Sequence, residues 1–142
     1  MNTIERLEAQ QACADVIVRY ALAVNQWDLD AFVALFAEDG SWKRPGTPEM
    51  RGRKAIRNFM DSLPTDRVLR HVNGGVLIEV IDDHTASAWS QTTVYEFPRP
   101  SALPAPLSRP DMVVEYRDRL VNVGGRWLIA HRNTVVVFRA EA

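Results

Sequence analysis

Val68-Leu69-Arg70-His71-Val72-Asn73-Gly74-Gly75-Val76-Leu77-Ile78-Glu79-Val80 is the stretch on which the fold turns. It opens polar, carries one histidine, then becomes an aliphatic, β-branched run that stops at Asp82-Asp83, so it reads as a long strand leading into a hairpin. Paired glycines inside a strand pattern mark a bulge or a sharp bend. An imidazole at position 71, on a strand that curves, is suited to the wall of a pocket.

After Pro64 the helical period disappears, and further strands are expected at about 85–97, 111–123 and 126–138, the last two joined by Gly124-Gly125, a two-glycine hairpin turn. Between the hairpins, Pro98, Pro100, Pro104, Pro106 and Pro110 crowd into an extended loop. Upstream the period is helical. Ile4, Leu7, Ala14, Ile17, Ala21 and Val24 make one face of a first helix starting near Thr3, and Asn25, four residues beyond Ala21, shares that face if the helix runs one turn further. Asp28 or Asp30 can cap a second helix through Leu29, Phe32, Val33, Leu35 and Phe36, ending before Gly40. A short strand over 41–44 then carries Trp42. Gly52 opens a third helix with Ala55, Ile56, Phe59, Met60 and Leu63 on one face, stopped by Pro64. Three helices followed by four long antiparallel strands predict an α+β fold in which the helices cover the concave face of a strongly curved antiparallel sheet and enclose a pocket.

Composition sets the outer limits. At 142 residues, the chain has the length of a single domain, expected over 1–142. Its 17 basic and 18 acidic side chains nearly cancel, which argues against nucleic acid or a membrane surface as partner. There is no run near the roughly 20 apolar residues that span a bilayer, and no basic-then-apolar leader layout, so the expected location is cytoplasmic. Cys13 has no partner for a disulfide and falls in a helical pattern, as a small buried hydrophobe would. His71, His84 and His131 lack metal-ligand spacing and no glycine-rich phosphate loop precedes a helix, so neither a metal nor a cofactor is expected. The cluster Arg51, Arg53, Lys54 and Arg57 reads as a solvated helix face, and Arg117, Asp118 and Arg119 read as a strand surface facing solvent or a second subunit.

Four segments, in order and at these spacings, resemble the SnoaL-like members of the NTF2-like superfamily: Tyr20-Ala-Leu-Ala-Val-Asn-Gln-Trp-Asp-Leu-Asp-Ala-Phe-Val-Ala-Leu-Phe-Ala-Glu-Asp-Gly-Ser-Trp42, then Gly52-Arg-Lys-Ala-Ile, then Arg70-His71, then Gly125-Arg-Trp-Leu-Ile-Ala-His-Arg-Asn133. The resemblance spans essentially the whole chain and implies an NTF2-like cone. Its scytalone dehydratase and hexachlorocyclohexane dehydrochlorinase branches use an aspartate near the end of the first helix to hold and charge-support a strand histidine that removes a proton from carbon. On that pattern the histidine is similar to His71, the aspartate falls on Asn25, Arg132 matches an active-site arginine, and Trp42, Tyr20 and Tyr116 match pocket side chains. Met112 and Val114 share the strand face of Tyr116 and join them as expected substrate contacts.

Asn25 changes the chemistry of that pattern. A carboxylate beside an imidazole raises its pKa by roughly 1–3 units and stabilises the imidazolium; an amide carbonyl orients the ring and supplies no charge. Asp28, Glu96, Asp111 and Glu115 are the carboxylates that could stand in, although Glu115 falls on the strand face opposite Val114 and Tyr116. The function implied is a cofactor-independent lyase or isomerase, dehydratase- or cyclase-like, acting on a cyclic or aromatic small molecule through His71, with Asn25 fixing its ring and Arg132 stabilising negative charge. The alternative is a non-catalytic small-molecule-binding protein with the same pocket; a purely structural oligomerisation domain leaves an inward Arg132 unexplained. Each residue also has a plainer role: His71 as donor to a backbone carbonyl, Arg132 as a surface residue or structural ion pair, the aromatics as core. An open curved sheet is expected to cover its outer face in a homo-oligomer, dimer or trimer.

Overall fold

The computed structural model describes residues 1–107 and 109–141; Ser108, inside the proline-rich loop, lies outside the described residues. The element order is α1 (Thr3–Gln26), α2 (Leu29–Ala34), β1 (Phe36–Lys43), β2 (Met50–Arg51), α3 (Arg53–Asp61), β3 (Arg67–Val80), β4 (Thr85–Pro98), β5 (Met112–Val123) and β6 (Arg126–Arg139). The strands form one sheet in the order β2-β1-β6-β5-β4-β3. The three helices and the four long strands lie where the sequence periodicities put them.

α1 starts on a capping box. The Asn2 side chain accepts from the Glu5 backbone N–H, and the Glu5 carboxylate accepts from that of Asn2, which satisfies two of the donors a helix start leaves free. Its inner face buries Cys13, Ile17, Tyr20 and Val24 against the sheet. The helix ends on Trp27 in the left-handed region, φ 56° and ψ 38°, a conformation costing a non-glycine residue roughly 1–2 kcal/mol. Arg6 ties the other end of α1 to β3 through the Val80 carbonyl at 2.7 Å.

The bend in β3 is where the glycines put it. Asn73 pairs with Thr92 and Gly75 with Gln91, so Gly74 is the extra residue of a bulge. At the β5–β6 hairpin, Gly124 and Gly125 both take positive φ, 58° and 88°, as a tight turn matched to strand twist requires.

Three expectations need correction. The strand expected over 41–44 begins earlier and runs over Phe36–Lys43. The second helix stops at Ala34 rather than running through Leu35 and Phe36, because Phe36 pairs with Ile129 on β6 and the Leu35 carbonyl accepts from the Ile129 backbone N–H at 2.8 Å. Pairing with a segment distant in sequence overrides a helical pattern in so short an element. The sheet is also mixed: β1 runs parallel to β6, while every other pairing is antiparallel.

Candidate active site

Between the helices and the concave face of the sheet lies a cavity of about 190 Å³, walled by side chains of α1, α3 and five strands. Of the residues singled out in the sequence, Tyr20, Trp42, His71, Met112, Val114 and Tyr116 line it. Asn25 and Arg132 stand behind its wall, each against a residue that does line it.

Asn25 reaches from the last turn of α1 to β3. Its Oδ1 lies 2.7 Å from the His71 backbone nitrogen and 3.1 Å from the ring Nδ1. The backbone N–H can only donate, which fixes the atom facing it as the amide oxygen. That oxygen has no proton to give, so Nδ1 must donate too. The ring is therefore the Nδ1–H tautomer, and Nε2 is left with a free lone pair. Burial, with a smaller contribution from the charge of Arg132, lowers the His71 pKa to about 4. At neutral pH the imidazole is uncharged.

Among the described residues no carboxylate comes within hydrogen-bond distance of His71. Glu96 lines the same cavity, but its Oε1 accepts from Arg67 Nε at 2.7 Å. Asp28 caps α2 through the Ala31 backbone N–H. The amide at position 25 is the ring's partner.

Arg132 is fully buried and held by two hydrogen bonds to Asp118, at 2.8 and 2.7 Å. The expectation that Asp118 faces outward with its neighbours Arg117 and Arg119 is overturned: those two are exposed and Asp118 points into the core, because side chains alternate along β5. Above the ion pair, the guanidinium carbon sits 4.0 Å from the Tyr20 ring centroid and 3.8 Å from that of Tyr116. Burial of Arg132 works against its charge, and the Asp118 carboxylate more than offsets that, so its pKa is raised and it stays cationic. The phenols of Tyr20 and Tyr116 are both pushed above the ordinary tyrosine value, chiefly by burial, and remain protonated donors. Trp42 is fixed by its indole N–H, which donates to Thr134 Oγ1 at 2.9 Å.

Sequence reasoning named Glu96 as a candidate carboxylate near the site and missed Trp27, Arg44 and Thr134 as wall residues. Arg44 and Thr134 carried a usable signal, each lying two residues beyond a residue already singled out, Trp42 and Arg132, and so on the same strand face. Trp27 carried none, because a left-handed tryptophan is dictated by the packing around it.

A family model described as a SnoaL-like domain matches residues 5–133. A scytalone dehydratase-like protein from Novosphingobium aromaticivorans DSM 12444 superimposes with a TM-score of 0.84 at 19% identity, over 99% of this chain and 92% of that one. A hexachlorocyclohexane dehydrochlorinase from Novosphingobium barchaimii LL02 gives 0.80 at 11% identity, over 98% and 93%. A variant of a protein of unknown function from Mycobacterium tuberculosis gives 0.78 at 28% identity, over 96% and 76%. At 19% and 11% identity the first two likenesses speak for the fold alone.

Proposed function

The chain belongs to the SnoaL-like family, and from that premise we propose that it is a lyase or isomerase, needing no cofactor, that acts on a small cyclic or aromatic molecule with His71 as general base. The observation carrying this reading is the pinned Nδ1–H tautomer, which leaves Nε2 free to accept a proton at an aromatic-walled cavity.

In the proposed reaction Nε2 takes a proton from a substrate carbon. The released electron pair either forms a C=C bond as a leaving group departs from the adjacent carbon, or passes into a neighbouring carbonyl as an enolate that is reprotonated elsewhere. Tyr20 and Tyr116, kept protonated by burial, supply O–H donors to a departing hydroxyl or an enolate oxygen. Arg132 acts as a positioning residue beneath both phenol rings, its charge already matched by Asp118. A base whose pKa lies near 4 suits a carbon acid activated by an adjacent carbonyl better than an unactivated C–H bond.

The missing carboxylate at position 25 favours a second reading, binding without turnover, since an amide does not stabilise an imidazolium. One experiment separates the two. Cyclic β-hydroxy ketones and hydroxylated aromatic ketones are incubated with the protein in D₂O and followed by proton NMR. Loss of the α-proton signal or of water, abolished in a folded His71→Gln variant, is the expected result. Binding with no exchange on any compound overturns the enzymatic reading and leaves the binding one.

A further inference from the structure

The charge balance of the cavity wall does not close. His71 is neutral, and Glu96 is matched by Arg67. Arg44 also lines the cavity, yet no side-chain hydrogen bond or ion pair holds its guanidinium among the described residues, and its Nε is buried with no partner at all. It is held instead by aromatic surfaces: its guanidinium carbon lies 4.9 Å from the Phe59 ring centroid and 5.5 Å from that of Trp42, and those two rings meet edge to face at 5.5 Å. Aromatic faces keep a cation in place and weakly hydrated without neutralising it. The other buried or half-buried arginines each have an oxygen partner, although Arg132 leaves its Nη1 without one: Arg132 on Asp118, Arg53 on the Phe36 carbonyl, Arg57 on Asp30, Arg67 on Glu96.

Position adds to this. Arg44 follows β1 at one side of the sheet, beyond the Lys43–Asn133 pairing, whereas His71 stands on β3, the strand at the opposite edge. Both line the same cavity, so a ligand held there lies within the reach of strands from both sides of the sheet. A space of 190 Å³ is somewhat larger than the roughly 150 Å³ apolar cavity that accepts a benzene ring.

We propose that the ligand is a small ring compound bearing a carboxylate, that Arg44 binds this carboxylate through its free N–H groups, and that Arg44 thereby sets which part of the ring faces His71. A planar guanidinium matches a carboxylate with two parallel hydrogen bonds, and a site already held by aromatic faces spends little further order on forming them. The inference rests on the cavity being a small-molecule site and adds the chemical class of the molecule.

The test is isothermal titration calorimetry at pH 7 with 4-hydroxybenzoate and its amide, 4-hydroxybenzamide, on the full chain, on Arg44→Gln and on Arg44→Lys. The expected result is that the wild type binds the acid at least about tenfold more tightly than the amide, as a charge-assisted pair implies. Arg44→Gln removes that preference while leaving the amide within about twofold, and Arg44→Lys retains part of it. Equal affinity for acid and amide in the wild type, or an unchanged preference in Arg44→Gln, overturns the role of Arg44 and leaves the cavity reading in place. Binding of neither compound overturns the cavity reading as well. Should Arg44→Gln fail to fold, the wild-type ratio alone decides.

Discussion

Asp118 and Arg132 stand directly opposite one another on β5 and β6, joined by Nε to Oδ1 at 2.8 Å and Nη2 to Oδ2 at 2.7 Å, and neither side chain has any exposed surface. Removing one partner leaves the other as an uncompensated buried charge. Asp118→Ala is expected to destabilise the fold by about 3–5 kcal/mol in urea titrations, whereas the paired replacement Asp118→Leu with Arg132→Met costs much less than that. Equal losses in the two proteins would mean that packing, rather than charge, dominates the site. The same comparison classifies Arg132: if its role is positioning, its replacement disturbs Tyr20 and Tyr116 before it disturbs the charge of any ligand.

A carboxylate at position 25 restores what the amide cannot supply. Asn25→Asp still accepts from the His71 backbone N–H and ring, and it adds a negative charge about 3 Å from Nδ1. The His71 pKa should climb from about 4 by about 1–3 units, read from the ring proton shifts in an NMR titration. An unmoved midpoint would show that the two side chains are not neighbours. If the protein is catalytic, the same variant gains turnover near neutral pH, because its base is stronger and its imidazolium is supported.

The lowered pKa of His71 also makes stability depend on pH in a definite direction. The unfolded imidazole takes up its proton near 6.5 and the folded one near 4, so between those values the unfolded chain binds more protons. The contribution is complete above about pH 6.5 and falls away as pH drops towards 4, by at most about 3 kcal/mol from this group. Urea midpoints at pH 7.5 and 4.5 should therefore converge more closely in His71→Gln than in the wild type. Identical slopes in both would assign the pH dependence to other groups.

What could be read from the sequence was what local chemistry determines. Alternation, turn glycines and helical spacing are properties of short windows, and they located the long strands, the hairpins, the bulge at Gly74 and the polar amide on the inner face of α1. What could not be read depends on which distant segments meet. Nothing near Phe36 shows that it pairs in parallel with Ile129, and nothing near Arg132 names Asp118, fourteen residues back, as its partner. Arg132 consequently read in two ways, as a cation meeting negative charge in the site or as half of a structural ion pair, while Arg44, which pairs with no carboxylate among the described residues, read as nothing more than the end of a short strand.

Glycine gives the sharpest case of that division and a prediction with it. Gly74 and Gly75 drew notice in the sequence, yet an added Cβ would meet side-chain atoms at 3.5 Å and 3.8 Å, ordinary contact distances, and neither has positive φ. Gly40 drew notice only as the end of a helix that in fact stops earlier. There a Cβ would lie 2.8 Å from the Ala37 carbonyl oxygen and 2.9 Å from that of Ile129, both backbone atoms that cannot swing aside. This is the segment where β1 shifts register against β6, between Phe36 and Ser41, and the Gly40 carbonyl accepts from the Gly52 N–H at 2.7 Å, so β1, β6 and the start of α3 are all fastened around it. Gly40→Ala should cost about 1–3 kcal/mol through forced backbone movement. Gly74→Ala should stay within about 1 kcal/mol of the wild type in either direction, since restricting the unfolded chain offsets any adjustment of Gln91. Urea titration of the two variants side by side decides it: a Gly40→Ala protein no less stable than Gly74→Ala would show that the β1–β6 junction yields where the close approach says it cannot.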